Sequence, residues 1–157
     1  MAEDKYVSIG KWSISIDGAG ISNADKIGFY SVSGPSLSIG LEWHMAAGRQ
    51  GISSTSVATP GHTTYSTLTL TYPLSKESKS LYDWRKKIID GKFSDALAAE
   101  ITVTFYDDDG QQALMAYHYH YCWPCGYYFD GAHTDTSSPA TETMTLVFER
   151  FERENLG

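Results

Sequence analysis

Residues 121–153 decide the fold of this chain, and they read YCWPCGYYFDGAHTDTSSPATETMTLVFERFER. The first part is aromatic and reads as a strand that ends at Trp123-Pro124. A loop of Gly, Ser, Thr and Pro follows, as expected between two strands. Residues 141–153 then alternate apolar and polar side chains before a charged end. The stretch therefore predicts two β-strands joined by a loop.

The same alternation extends toward the N-terminus and predicts a mainly β chain. Apolar residues at every second position mark strands at 12–17, 27–32, 36–43, 63–72, 101–106 and 113–123. One segment instead carries apolar residues at helical spacing, from Leu81 to Ile89, with Gly91 after them. This spacing predicts one α-helix over about 78–90. Residues 44–61 show no clear period and predict a long extended loop.

Length and charge limit the possible functions. The chain has 157 residues, the size of a single domain over 1–157, and a formal net charge of −7. An acidic body argues against a module that recognises specific nucleic acid sequences. No apolar run approaches the ~20 residues of a membrane helix, and the N-terminus lacks the apolar core of a signal peptide. We therefore expect no membrane insertion and synthesis in the cytoplasm.

The densest group of potential metal ligands lies in the segment HYHYCWPC, residues 118–125. Two imidazoles and two thiols could satisfy tetrahedral zinc, which makes His118, His120, Cys122 and Cys125 the candidates. Alternate side chains of one strand stand about 6.5–7 Å apart, however, and a site normally takes ligands from a second element. Buried or interface histidines are the favoured interpretation. No catalytic set emerges, and we expect no enzyme activity, no metal and no cofactor.

The order of these elements resembles the tail tube family of contractile phage tails and phage-tail-like contractile injection systems. Each matching segment is weak, but together they span residues 12–153 in the family's order. The matching segments are WSISIDG, FYSVSGPSL, LYDWRKKIIDGK, DDDG and the WP block with ETMTLVFER. This chain departs from the family pattern in its Cys and His density before Trp123 and in its nearly uncharged segment 44–61.

The resemblance implies an antiparallel β-sandwich or barrel with one flanking helix, in which the long loop reaches neighbouring subunits. Six copies would form a ring whose strands close a β-barrel channel, and stacked rings would form an inner tube. The implied function is that of a structural subunit of a conduit for cargo in a phage tail or tail-like particle, that is, a virion component formed by self-assembly. A tube-initiating ring at the baseplate is the alternative within the family.

The implied partners are copies of the chain itself, a sheath protein, baseplate and tube-terminator proteins, and cargo in the lumen. Residues 76–92 carry six of the twelve Lys and Arg side chains against three acidic ones. A basic surface on an acidic body suggests an acidic partner, although a solvated helix face is the simpler interpretation. We expect these basic residues to face the sheath: Lys79, Arg85, Lys86 and Lys87.

Two other classes of function are considered. A carbohydrate-binding β-sandwich could use the aromatic stripe of the strand before Pro124 as a platform, although a core role explains the stripe more simply. The stripe comprises Tyr117, Tyr119, Tyr121 and Trp123. A zinc-dependent enzyme or zinc-stabilised domain would require the His and Cys candidates to meet at one site.

Overall fold

The computed structural model describes residues 10–21, 24–47, 54–93, 96–132, 134 and 138–156, and only the backbone of 44–47 and 54–57. These residues form nine strands and two helices. In chain order the elements are β1 (Trp12–Asp17), α1 (Ala24–Ile27), β2 (Ser31–Ser33), β3 (Leu37–Ala47), β4 (Ser54–Tyr65), β5 (Leu68–Pro73), α2 (Lys79–Ile89), β6 (Ala99–Tyr106), β7 (Ala113–Phe129), β8 (Thr141–Val147) and β9 (Arg150–Asn155).

The chain divides into two compact units. Residues 34–67 form one unit, which contains the antiparallel pair β3–β4. The other unit comprises Met1–Ser33 and Leu68–Gly157 and contains the remaining strands and both helices. The prediction of a mainly antiparallel β fold is confirmed.

The 17-residue strand β7 organises the larger unit, because its two halves belong to different sheets. Its first half pairs with β6 and β9, and β1 pairs with β6, which gives the first sheet. Its second half pairs with β8, followed by β5 and β2, which gives the second sheet. The strand changes partners at a β-bulge near Tyr121, which has a positive φ of 57°. A bulge bends a strand, so one chain segment can enter both sheets.

Each sheet buries one face in a common apolar core. In the first sheet, Ile16, Ile101 and Tyr119 stand in register with one another. In the second sheet, Leu70 faces Met144 and Leu68 faces Leu146. The alternation seen in the sequence is therefore the alternation between core and exterior.

Helix α2 confirms the helix expected over about 78–90. Leu81 and Trp84 are buried on its inner side, as the helical spacing predicted. Before the helix, Ser75 and Ser78 exchange hydrogen bonds between side chain and backbone. The Trp84 indole Nε1 donates a hydrogen bond to the Ala96 carbonyl at 2.8 Å.

Several expectations about the elements were wrong. The strand predicted to end at Trp123-Pro124 continues to Phe129, and the strand predicted at 63–72 is the end of β4 followed by β5. Residues 44–61 are not a long loop, because β3 runs to Ala47 and β4 begins at Ser54. β4 is rich in Ser and Thr and has no hydrophobic alternation, so no period marked it as a strand. Residues 48–53, also part of the predicted loop, lie outside the described residues. The strand predicted at 27–32 is shorter than expected: a second helix, α1, ends at Ile27, and only Ser31–Ser33 form a strand.

A further correction concerns the strand predicted over 141–153, which is two strands. β8 pairs with the second half of β7, and β9 pairs with the first half. The chain crosses from the second sheet to the first at residues 148–149. β8 carries Met144 and Leu146 at alternate positions, and Phe148 continues this spacing into the crossing, so the sequence pattern shows no break there. No helix within the described residues is long and apolar enough to cross a membrane.

The Trp84 hydrogen bond gives the first prediction. Trp84→Phe should lower the free energy of unfolding by about 2 kcal/mol, because it leaves the buried Ala96 carbonyl without its donor and removes part of a buried ring. Urea unfolding followed by circular dichroism measures the change. Tyr82→Phe removes a polar atom from an exposed aromatic ring of the same helix and should shift stability by less than about 0.5 kcal/mol. Equal losses for the two variants would contradict the role of the hydrogen bond.

Candidate assembly surfaces

The pair β3–β4 leaves a row of large apolar side chains exposed. The four side chains occupy alternate positions of β3 and are each 51–65% exposed: Leu37, Ile39, Leu41 and Trp43. The residues between them are exposed as well, namely Ser36, Ser38, Gly40 and Glu42. We call residues 34–67 the ribbon. Within its described residues, neither face of β3 between positions 36 and 43 is buried.

A ribbon of two strands has little stability of its own in water, and large exposed apolar patches mark interaction sites. The ribbon holds its register through the β3–β4 ladder. Two threonine hydroxyls add bonds across it, from Thr59 to the Glu42 carbonyl and from Thr64 to the Ser38 carbonyl. The geometry of the ribbon is therefore that of a docking element.

The outer face of the second sheet is lined by hydroxyl groups. Thr69 stands in register with Thr145, and Thr71 with Thr143. Asp130 lies at the end of β7, and its carboxylate accepts hydrogen bonds from the Thr141 and Thr143 hydroxyls. We call this surface the threonine face. Among the described residues of these strands, it carries no lysine or arginine.

The second sheet has two edges whose backbones pair with no other described strand. These are β2 and the second half of β7. Large apolar or aromatic side chains lie exposed near both edges, including Tyr30 just before β2 and Tyr128 and Phe129 on β7. Unpaired, apolar sheet edges are places where another strand can add.

The four basic candidates of α2 differ in their surroundings. Lys79 and Lys86 are exposed, and the large exposed side chains Tyr82 and Ile89 lie on the same helix. The Lys87 Nζ instead donates to the Ala19 carbonyl at 3.1 Å, which ties the helix to the turn after β1. The Arg85 Nε is buried and finds no hydrogen bond acceptor in the part of the chain described.

The histidines and cysteines before Pro124 do not converge. Cys122 is buried and its thiol donates to the Tyr119 carbonyl at 3.4 Å, while Cys125 is exposed. The described residues contain no group of three His, Cys, Asp or Glu side chains that could hold a metal ion. The bulge near Tyr121 changes the direction of β7 between the histidines and Cys125, which sequence spacing alone could not reveal.

His118 and His120 instead face glutamates of neighbouring strands. The His118 Nε2 lies 2.8 Å from Glu154 of β9, and the His120 Nδ1 lies 3.0 Å from Glu100 of β6. Sequence analysis missed these partners because they are far apart in the chain. Glu152 and Glu154 occupy alternate positions of β9, which places these two on one face, but no sequence signal places Glu100 of β6 beside them.

The aromatic stripe of β7 is mostly core. Tyr119 is buried, and Tyr117 and Trp123 pack against the buried cluster. Tilted ring contacts join Tyr117 and Tyr119 to Phe151 of β9. Only Tyr121 is exposed. The stripe therefore offers no aromatic platform for a carbohydrate.

Comparison with known proteins identifies the family. The family described as T4-like virus tail tube protein gp19 matches residues 11–152. The chain belongs to this tail tube family. No curated protein matched the chain.

Solved structures share the fold of this tail tube protein at low sequence identity. A chain of the PVC sheath-tube complex, an extracellular contractile injection system in its extended state, gives a TM-score of 0.74 at 19% identity, covering 96% of this chain and 92% of that chain. A chain of the anti-feeding prophage baseplate gives 0.74 at 12% identity, with 99% of both chains covered. An Hcp protein crystal structure gives 0.61 at 12% identity, with 92% of both covered.

Burial favours the neutral forms of one thiol and two tyrosine hydroxyls of the tail tube protein: Cys122, Tyr72 and Tyr119. Burial raises the pKa of the Cys122 thiol from its ordinary 9.0 to about 12. Burial also raises the pKa of Tyr72, whose hydroxyl donates to the buried Glu142 carboxylate at 3.0 Å, and the charge of Glu142 adds to the effect. Burial likewise raises the pKa of Tyr119.

These shifts predict the response of the tail tube protein to alkali. The stabilisation from a neutral group with a raised pKa is fully present below its ordinary pKa and is lost as pH rises toward the folded value. Stability should therefore fall progressively from about pH 9 upward, as Cys122 and then the tyrosines tend to ionise. Urea unfolding between pH 8 and 12 measures the free energy of unfolding at each pH. A free energy that stays constant over this range would contradict the prediction.

Thiol labelling provides a second measurement. At pH 7.5, maleimide should label Cys125 quickly and Cys122 only after unfolding, because burial blocks access and keeps the Cys122 thiol protonated. Mass spectrometry of Cys122→Ser and Cys125→Ser variants distinguishes the two sites. Fast labelling of Cys122 in the folded chain would contradict the burial of its thiol next to the bulge near Tyr121.

Proposed function

We propose that six copies of this tail tube protein form a ring and that stacked rings form the inner tube of a contractile phage tail or tail-like particle. The whole chain acts as one tail tube domain, as a structural subunit rather than an enzyme. The observation that carries the proposal is the ribbon, where four large apolar side chains in a row are exposed. The apolar row needs a partner, and neighbouring copies of the chain supply one.

Ring closure is compatible with the strand directions of the second sheet. β7, β8, β5 and β2 are antiparallel at every step. With an even number of strands, the two edges run in opposite directions. Rotation about an axis along the strands preserves direction, so β2 of one copy meets β7 of the next copy in antiparallel orientation. Each ring thereby pairs all edges of this sheet and leaves none exposed.

The width of such a channel follows from strand spacing. Six copies would contribute roughly 24 strands about 4.8 Å apart, which close a barrel roughly 35–50 Å wide between backbones, depending on tilt. The core face of the second sheet is already buried within each copy. The threonine face is therefore the surface that would line the channel.

The threonine face suits a conduit. Its hydroxyl groups are uncharged and short, and Asp130 is engaged by two threonine hydroxyls. Apart from the Asp130 carboxylate and the exposed Tyr128 ring, a wet wall of hydroxyl groups offers little apolar area and little fixed charge to hold cargo tightly. Cargo therefore moves along a wall of hydroxyl groups, and the chain's net negative charge lies largely on other surfaces.

Sheath, baseplate and terminator proteins are the further partners of the proposed tube. The similar chains come from structures described as a sheath-tube complex, a sheath/tube terminator, a baseplate and a tube-terminating cap. We place the sheath contact on the exposed part of α2, where Lys79 and Lys86 lie beside Tyr82 and Ile89. Arg85 and Lys87 contribute less, since their polar groups face into the chain. Synthesis in the bacterial cytoplasm before assembly is part of this proposal.

A tube-initiating ring at the baseplate is the second candidate. The baseplate chain of the anti-feeding prophage is as similar in fold as the chain of the PVC sheath-tube complex, with equal TM-scores of 0.74. Electron microscopy of the purified protein separates the two. A main tube subunit should give long tubes, whereas an initiator should give single rings or short stacks.

The ribbon gives a prediction about assembly. A double variant, Leu41→Asp with Trp43→Asp, should fold with unchanged circular dichroism but form no rings or tubes, because the carboxylates prevent burial of the apolar row. Negative-stain microscopy and sedimentation velocity measure assembly. Normal tubes from this variant would contradict the proposal.

The matched control for the ribbon variant lies on α2. Ile89 is 67% exposed but belongs to the surface assigned to the sheath. Ile89→Asp should therefore assemble like the unmodified chain. If both variants lose assembly, general loss of solubility rather than the ribbon is responsible.

The basic helix gives a separate prediction. Lys79→Glu with Lys86→Glu should form normal tubes that recruit at least about ten-fold less sheath in co-sedimentation, because the charges that attract an acidic partner are reversed. Lys11→Glu with Lys26→Glu makes the same change of charge away from α2 and should recruit sheath normally. Equal recruitment by the two double variants would exclude α2 as the contact.

A further inference from the structure

His120 lies between two carboxylates from different strands. Its Nδ1 is 3.0 Å from Glu100 Oε2 on β6, and its Nε2 is 3.4 Å from Glu152 Oε2 on β9. The His120 side chain is only 14% exposed, while both glutamates are about half exposed. The imidazole therefore spans the sheet between β6 and β9, the two strands that flank the first half of β7.

The number of protons on His120 decides how many of these contacts can be hydrogen bonds. A neutral imidazole carries one N–H, so it can donate to one carboxylate and presents a lone pair to the other. An imidazolium donates to both. The Nε2 atom is buried and lacks a well-aligned hydrogen bond among the described residues, although Glu152 is at ion-pair distance. A proton on Nε2 could therefore be donated in a hydrogen bond to the Glu152 carboxylate.

His118, two residues earlier, provides a contrast. Its Nε2 lies 2.8 Å from Glu154, and its Nδ1 lies 3.2 Å from the Thr102 hydroxyl. A hydroxyl can donate as well as accept, so a neutral His118 with its proton on Nε2 satisfies both contacts. Only His120 has an acceptor-only group on each side.

Carboxylates predominate among the charged groups around His120. Asp17 of β1 stands in register with Glu100, and the Arg150 Nε lies 3.4 Å from the other oxygen of Glu152. Glu149 follows β8, and its amide donates to the His120 carbonyl. The ionisable groups on and around this face are Asp17, Glu100, His118, Tyr121, Cys122, Glu149, Arg150, Glu152 and Glu154. With neutral histidines, one arginine faces an excess of carboxylates.

We propose that His120 is a protonation-dependent lock on the C-terminal strand. As an imidazolium it joins the carboxylates of β6 and β9 and holds β9 against the first sheet. As a neutral ring it releases one of them. Among the described strands β9 pairs with β7 alone, and its Phe151 packs against the core. The contacts of His120 with Glu100 and Glu152 add to this anchoring on the opposite face of β9. Histidine is the side chain whose charge ordinarily changes between about pH 5 and 8, so β9 is held more firmly on the acidic side of this range.

Hydrogen exchange of the unmodified chain tests the lock. After correction for the intrinsic pH dependence of exchange, the amides of β9 should be about three- to ten-fold more protected at pH 5.5 than at pH 8, the size expected of one charge-assisted hydrogen bond. The amides of β5 in the second sheet serve as the internal reference and should not change. Equal protection of β9 at the two pH values would overturn the proposal.

Variants assign the effect to one residue. His120→Gln keeps a donor but cannot titrate, so the pH dependence of β9 should disappear. His118→Gln is the matched control and should retain it. Glu152→Gln, which removes one of the two carboxylates, should reduce it and covers the case in which His120→Gln fails to fold. The same pH dependence in His120→Gln, or in Glu152→Gln, as in the unmodified chain would show that another group is responsible.

Discussion

The backbone hydrogen bonding of one long strand constrains the rest of this structure. β7 must satisfy its N–H and C=O groups against β6 and β9 in its first half and against β8 in its second half. The bulge near Tyr121 makes this possible by bending the strand where its partners change. The position of that bend fixes the pairing of both sheets, the separation of the histidines from Cys125, and the crossing that splits β8 from β9.

The larger unit and the ribbon solve the burial of apolar surface differently. The larger unit places Leu68, Leu70, Met144 and Leu146 in a core that it completes by itself. The strands of the ribbon pair their backbones with each other, but the side chains of Leu37, Ile39, Leu41 and Trp43 stay exposed to water. Membership of the tail tube family gives this arrangement a purpose, since a subunit of a tube can keep part of its apolar surface for copies of itself. The proposed ring follows from this division, because contacts between copies bury the apolar surface that one copy leaves exposed.

Sequence analysis predicted best where one face of an element is buried within the chain. The helix around Trp84 and the strands with alternating Ile and Val were recognised because burial imposes a period on the sequence. Within the ribbon, residues 36–43 were recognised as a strand by their alternation, whereas 44–61 were taken for a loop because their Ser, Thr and Gly residues show no hydrophobic period. The sheath-facing lysines stay a prediction, although the contact of Lys87 with Ala19 separates it from Lys79 and Lys86.

The sequence by itself determined the β class of the chain, its main helix and its family, because alternation, helical spacing and segment order are properties of neighbouring residues. The tertiary structure decided which residues from distant segments meet. It placed Glu100 and Glu152 on either side of His120, and it set the threonines of β5 opposite those of β8. Strand register is a long-range choice made by backbone pairing and core packing together, and no local pattern encodes it completely.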